Sequence, residues 1–164
     1  MDSGALDRFS AFAASRGPRL YRLAMLLIGD SHTAQDLVQD TLASLYVSWR
    51  KVEAADDPDA YARRALVNAS NRRFRRRRAP ELLVSEPPEL ASPTDGSGMQ
   101  ASLQAALMEL PAGQRQVVAL RFLEDLSVEQ TAAVLGCSTG TVKSQSSKAL
   151  SALRVNLTPM EDAS

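Results

Sequence analysis

Leu20, Leu23, Ala24 and Leu27 recur three and four residues apart, the spacing of an amphipathic helix, and Gly29 followed by Asp30 supplies a stop. Ser31 or Thr33 is then placed to cap a second helix that buries Leu37, Val38, Leu42, Leu45, Tyr46 and Trp49 and turns Asp36, Gln39 and Asp40 to the opposite surface. Asp57 before Pro58 reads as an N-cap with proline at the first helical position. It opens a helix through Tyr61, Ala62, Ala65, Leu66 and Ala69 into an arginine run.

The apolar period stops at Ala79. Pro80, Pro87, Pro88 and Pro93 alternate with Ser, Glu and Gly as far as residue 98, which is the composition of a linker. Periodicity resumes at Leu103, Ala106, Leu107 and Leu110, and Pro111 starts another helix with Val117, Val118, Leu120 and Phe122. Leu and Ala are plentiful and aromatics make up only 5% of the chain, so helix propensity dominates strand propensity. The pattern predicts an all-α fold of two small helical domains joined by a flexible linker. The first spans residues 1–78, the linker 79–98, the second domain 99–157, and a disordered tail 158–164.

Between Ser127 and Ser144 the second domain carries a helix-turn-helix pattern. Ser127 and Gln130 form a capping box, Ala132 is small where two helices must cross, and Gly136 suits the positive φ of a tight turn. Leu135, Cys137 and Val142 fall where the helices pack. That leaves Ser138, Thr139, Thr141, Lys143, Ser144, Ser147 and Lys148 on the outer side of the following helix, hydroxyls and ammonium groups suited to base edges and phosphates in a major groove. A plain helical hairpin is the bland alternative, and the agreement of cap, small residue, turn glycine and polar face argues against it.

Formal net charge over the 164 residues is zero, which by itself does not favour nucleic acid. The sum conceals segregation: residues 50–78 hold ten basic and four acidic side chains, and residues 79–110 hold five acidic and no basic ones. Arg64, Asn68, Asn71, Arg72 and Arg75 recur at helical spacing on one face, and six arginines occupy the seven positions 72–78. Such a run repels itself unless a polyanion lies against it, although a solvated charged face is the competing reading. Trp49, Tyr61 and Phe74 are able to stack on unpaired bases, with core packing the stronger reading for Trp49 and Tyr61.

The lone Cys137 and lone His32 exclude a disulfide framework and a zinc site built from Cys and His. They also lack the partners of a nucleophilic triad, so neither enzyme activity nor metal nor cofactor is expected. No apolar run approaches the roughly 20 residues of a membrane span, and Asp2 and Asp7 stand where a signal peptide carries basic charge. A cytoplasmic protein without membrane insertion is expected.

In the order of these features the chain resembles the extracytoplasmic-function sigma factors of the sigma-70 family. The segments that carry the likeness are Ala34-Gln35-Asp36-Leu37-Val38-Gln39-Asp40-Thr41, Leu110-Pro111-Ala112-Gly113-Gln114-Arg115-Gln116-Val117-Val118 and Gly140-Thr141-Val142-Lys143-Ser144. The resemblance implies that Asp36, Leu37, Gln39 and Asp40 meet the clamp of core RNA polymerase. It implies that Arg64, Asn68, Asn71, Arg72 and Arg75 lie at the minus-ten element, and that the helix from Ser138 to Lys148 reads the minus-thirty-five element. It further implies capture of a flipped base of the unpaired non-template strand near Val52 to Asp57, an anti-sigma factor as partner, and a monomer when free. One departure stands out: many relatives place arginine near Gln145, where this chain has Gln145, Ser146 and Ser147, which implies weak intrinsic affinity for promoter DNA. A stand-alone dimeric regulator using the same helix-turn-helix and a purely protein-binding adaptor are the competing readings.

Overall fold

In a computed structural model that describes residues 2–78 and 98–157, every regular element is helical. In chain order these are α1 (Ser3–Ile28), α2 (Ser31–Val47), α3 (Trp49–Ala54), α4 (Pro58–Arg78), α5 (Gly98–Glu109), α6 (Ala112–Val118), a π-helical segment (Ala119–Leu123), α7 (Val128–Leu135) and α8 (Thr139–Leu157). The described residues group into two compact units, with α2 to α4 in the first and α5 to α8 in the second. Most of the predicted linker and the predicted tail lie outside the described residues, and α5 already begins at Gly98.

The first helix is longer than the apolar period reveals. It starts at Ser3 and continues through Gly17 and Pro18. Its front half is held by rings rather than by an aliphatic stripe. Phe9 meets Tyr46 and Trp49 edge to face at 5.3 and 5.4 Å, and Phe12 lies 5.4 Å from Trp49. Ion pairs from Arg8 to Glu53 and from Arg16 to Asp59 tie the same half to the end of α3 and the start of α4.

Asp30, not Ser31 or Thr33, caps α2. Its carboxylate accepts from the Thr33 amide at 3.0 Å and from the Thr33 hydroxyl, and a negative charge at a helix N-terminus also suits the macrodipole. His32 lies in the first turn of this helix. The buried face of α2 is narrower than expected. Leu37, Val38 and Leu45 are in the core, whereas Leu42 is half-buried and Tyr46 is exposed. The helix ends at Val47 because Ser48 leaves helical geometry, and this re-aims Trp49 inward at the head of α3. Thr41 satisfies its buried hydroxyl by donating to the Leu37 carbonyl at 2.7 Å.

Helix α4 opens as expected, with the Asp57 carboxylate accepting from the Ala60 amide at 3.1 Å. It packs on α2 and α3 through Ala62, Leu66, Val67 and Ala69. Val67 was missing from the expected set, and Ala65 is only half-buried.

In the second unit α5, α6 and α8 enclose Ala106, Leu107, Leu110, Val118, Ala149 and Leu153. The expected helix through Phe122 is instead α6 followed by a π turn, in which the Glu124 amide donates five residues back to Ala119 at 2.9 Å. That wider turn leaves Phe122 exposed under the Arg121 guanidinium, 5.3 Å from the ring centroid. Arg115 stops α5 from one side, donating to the carbonyls of Leu107 at 2.9 Å, Met108 at 3.2 Å and Leu110 at 2.8 Å. Burial pushes this guanidinium below its ordinary pKa, yet it stays charged.

The Thr33 hydroxyl holds the Asp30 carboxyl below the usual carboxylate range, so the cap stabilises fully above the unfolded value near about 3.9 and is lost as pH falls through the folded one. Urea unfolding of Asp30→Ala is expected to show a loss of about 1 kcal/mol at neutral pH. The difference from the parent narrows toward pH ~3, below that reference value.

Candidate nucleic-acid interface

Two polar helix faces are built by burial of the faces opposite them. At 100° per residue, Arg64, Asn68, Asn71 and Arg75 fall within about 60° of one another on α4, with Arg72 about 40° further round. Arg64, Asn68, Arg72 and Arg75 are exposed and Asn71 is half-buried, while Ala62, Leu66 and Ala69 lie on the opposite side in the core. The predicted stripe is therefore one continuous surface. Of the three candidate stacking rings, Trp49 is 5% exposed and belongs to the core, Tyr61 is half-buried, and Phe74 is exposed beside the arginines.

On α2 the structure separates the predicted quartet. Asp36, Gln39 and Asp40 are exposed, whereas Leu37 is 1% exposed and cannot meet a partner directly. Helical spacing puts Leu37 next to Asp36 in sequence but about 100° round the axis, on the side that faces α4. Arg73, absent from the expected sites, reaches back from α4 to Asp36 at 3.7 Å. Its position about 160° from Arg75 on the wheel is the signal that marks it as facing α2 rather than the stripe.

The helix-turn-helix is assembled as its sequence predicts. Ser127 accepts from the Gln130 amide at 3.0 Å and the Gln130 side chain accepts from the Ser127 amide at 2.8 Å. Gly136 takes φ 67° and ψ 37°, and the Cys137 amide closes the turn on the Ala132 carbonyl at 3.1 Å. Val117, Ala132 and Val142 then pack with Val128, Leu135 and Cys137 against them.

All seven predicted residues of α8 and its cap are exposed, while Val142, Ala149 and Leu153 are buried. Ser138 has a structural task as well: its hydroxyl accepts from the Thr141 amide at 3.1 Å and lies 2.9 Å from the Thr141 hydroxyl. Lys143 and Lys148 stand about 140° apart and border Ser144 and Ser147 on both sides. Gln145 lies off this face, half-buried over Gly113, where a Cβ would sit 3.5 Å from its amide nitrogen. An arginine at this position would need to displace that contact to reach outward.

Family comparison agrees with both units. The family model of Sigma-70 region 2 matches residues 12–79 and that of Sigma-70, region 4 matches residues 100–153. The RNA polymerase sigma-E factor of Streptomyces coelicolor is 39% identical over 94% of this chain and 88% of its own length. The chain is an extracytoplasmic-function sigma factor of the sigma-70 family. RNA polymerase sigma factor SigV of Bacillus subtilis is 30% identical over 84% of each chain. Among solved structures, sigma factor RpoE in its complex with the anti-sigma factor NepR from Bartonella quintana matches with a TM-score of 0.78. That match has 28% identity and covers 92% of this chain and 97% of the other. CnrH, solved with the cytosolic domain of CnrY, matches with a TM-score of 0.66 at 25% identity over 92% and 88%.

As a sigma factor the protein acts in promoter recognition and transcription initiation and is not an enzyme. Among the described residues no helix is long and apolar enough to cross a membrane. The left-handed backbone of Gly136 closes the turn of the helix-turn-helix. Gly136→Ala is expected to lower stability by about 1–2 kcal/mol in thermal unfolding, the cost of forcing a Cβ into that backbone region.

Proposed function

We propose that the α4 stripe of Arg64, Asn68, Asn71, Arg72 and Arg75 engages the minus-ten element and the outer face of α8 reads the minus-thirty-five element. Asp36, Gln39 and Asp40 of α2 bind the clamp of core RNA polymerase, with Leu37 supporting them from the core. The exposed end of the segment from Val52 to Asp57, where α3 closes and the chain turns into α4, receives a flipped base of the non-template strand; Val52 itself is buried in α3 and supports it from the core. In this reading residues 1–78 and 99–157 are separate working domains and 79–98 is their tether.

The observation that carries the reading is the arrangement on α8, where every predicted contact residue is exposed and Lys143, Ser144, Ser147 and Lys148 lie on the side away from the packed Val142, Ala149 and Leu153. Lysines on both borders suit the phosphates that wall a major groove, and hydroxyls between them suit base edges. Short hydroxyls discriminate weakly, so specificity comes from holding both domains on one promoter at once. A twenty-residue tether reaches about 60–70 Å. Two elements some sixteen base pairs apart lie roughly 55 Å from each other at about 3.4 Å per pair.

Opening the duplex needs no chemistry from this chain, since preferential binding of the unpaired strand shifts the melting equilibrium. The protein works in the cytoplasm, is a monomer when free, and is held inactive by an anti-sigma factor that covers these polar faces. Neither cofactor nor metal has a part in this scheme.

Run-off transcription with core polymerase and a promoter library is expected to give promoter-specific products. Complete absence of such products at every salt concentration overturns the reading. Lys143→Ala with Lys148→Ala is expected to reduce the salt slope of duplex binding by about 0.9 per lost phosphate contact.

A further inference from the structure

Asp36 stands between two partners. In the free chain its carboxylate faces the Arg73 guanidinium of α4 at 3.7 Å, and in the proposed reading the same carboxylate meets the clamp of core polymerase. The contact with Arg73 is loose. It is longer than a hydrogen bond, and the Asp36 side chain is 70% exposed and that of Arg73 33%. The ion pairs of Arg8 with Glu53 and of Arg16 with Asp59 are direct hydrogen bonds by contrast. A solvated pair of the Asp36 kind holds its members by no more than about fivefold, so a second ion displaces either charge readily. On α4, Arg73 lies about 60° round the axis from Arg76 and about 100° from Arg72, both exposed. Guanidinium groups so close repel one another, and Asp36 supplies a counter-charge.

We infer that Arg73 is a strand-binding residue held in reserve by Asp36 and released when core polymerase takes that carboxylate. The inference rests on the proposed roles of α2 and α4. With Asp36 engaged by a cation of the clamp, the Arg73 guanidinium beside Arg72 and Arg76 loses its counter-charge and turns to a phosphate of the DNA. The coupling is reciprocal: the strand, by taking Arg73, frees Asp36 and strengthens docking on polymerase by the same factor. The free chain therefore grips the strand more weakly than the same helix does in the assembled enzyme, with no change of fold. A brace between α2 and α4 is the rival role for this pair, but Leu37, Val38, Leu66 and Val67 already hold those helices together from the core.

The test is a double-mutant cycle on the full chain, with a labelled oligothymidylate followed by anisotropy over a range of salt. Asp36→Asn is expected to tighten binding by up to about fivefold and to steepen the salt slope by about 0.7, the mark of one added phosphate contact. Arg73→Gln in that background cancels both gains, and the same substitution in the parent has a smaller effect, so the two changes are not additive. Arg73→Gln alone also tightens core polymerase, since it frees Asp36, whereas Arg73→Lys keeps the charge and stays near the parent in both assays. Additive effects, with Asp36→Asn tightening the oligonucleotide equally with and without Arg73, reduce Asp36 to general repulsion of phosphate and overturn the inference. Unchanged or weaker polymerase affinity in Arg73→Gln, with the fold intact by circular dichroism, makes the pair a brace and overturns it too. Both results spare the α4 reading, which fails separately if Arg64→Ala with Arg75→Ala binds the oligonucleotide as the parent does.

Discussion

Packing of α2 against α4 is the contact on which the first domain depends. Leu37, Val38 and Leu45 from one helix and Ala62, Leu66, Val67 and Ala69 from the other leave water together, and this alone decides which side chains remain outside. What remains is an acidic surface on α2 and an arginine surface on α4. Small alanines on α4 let the helices approach, and opposite charges come near one another where Arg73 reaches Asp36. An ion pair this exposed contributes little to stability. The aliphatic burial holds the fold, and the charges stay at the surface.

The second domain reaches the same end by a different route. Its helix-turn-helix is held by caps and backbone geometry as much as by burial: a capping box at Ser127, a left-handed Gly136 and a hydroxyl cap at Ser138. These local devices orient α8 before any DNA is present, which lowers the cost of ordering on binding. Arg115 serves the same economy of form at α5, donating to three carbonyls at and just beyond the end of the helix.

Much of this was legible in the sequence because its signals are local. Turn glycines, the capping box and the spacing of Arg64, Asn68 and Arg75 depend only on neighbours along the chain. The misreadings have a common origin in contacts distant in sequence or in departures from ideal helical register. Leu37 was grouped with Asp36 because their neighbourhood matches a motif, yet its side chain lies on the packed face. Tyr46 was counted on the buried face, yet it lies about 100° round α2 from the core residue Leu45, and Phe122 was read into a regular helix that a π turn at Ala119 replaces. The front half of α1 escaped notice because Phe9 and Phe12 pack on Trp49, forty and thirty-seven residues away, rather than forming a stripe of their own.

The central claim is that the two faces divided by the α2 and α4 core serve different partners. Its most direct measurement compares core-polymerase affinity and single-strand affinity in two variants, Asp36→Ala with Asp40→Ala on α2 and Arg64→Ala with Arg75→Ala on α4. The account predicts that the first loses polymerase and keeps the strand, and that the second loses the strand and keeps polymerase. Equal loss of both affinities in either variant, with the fold intact by circular dichroism, contradicts it.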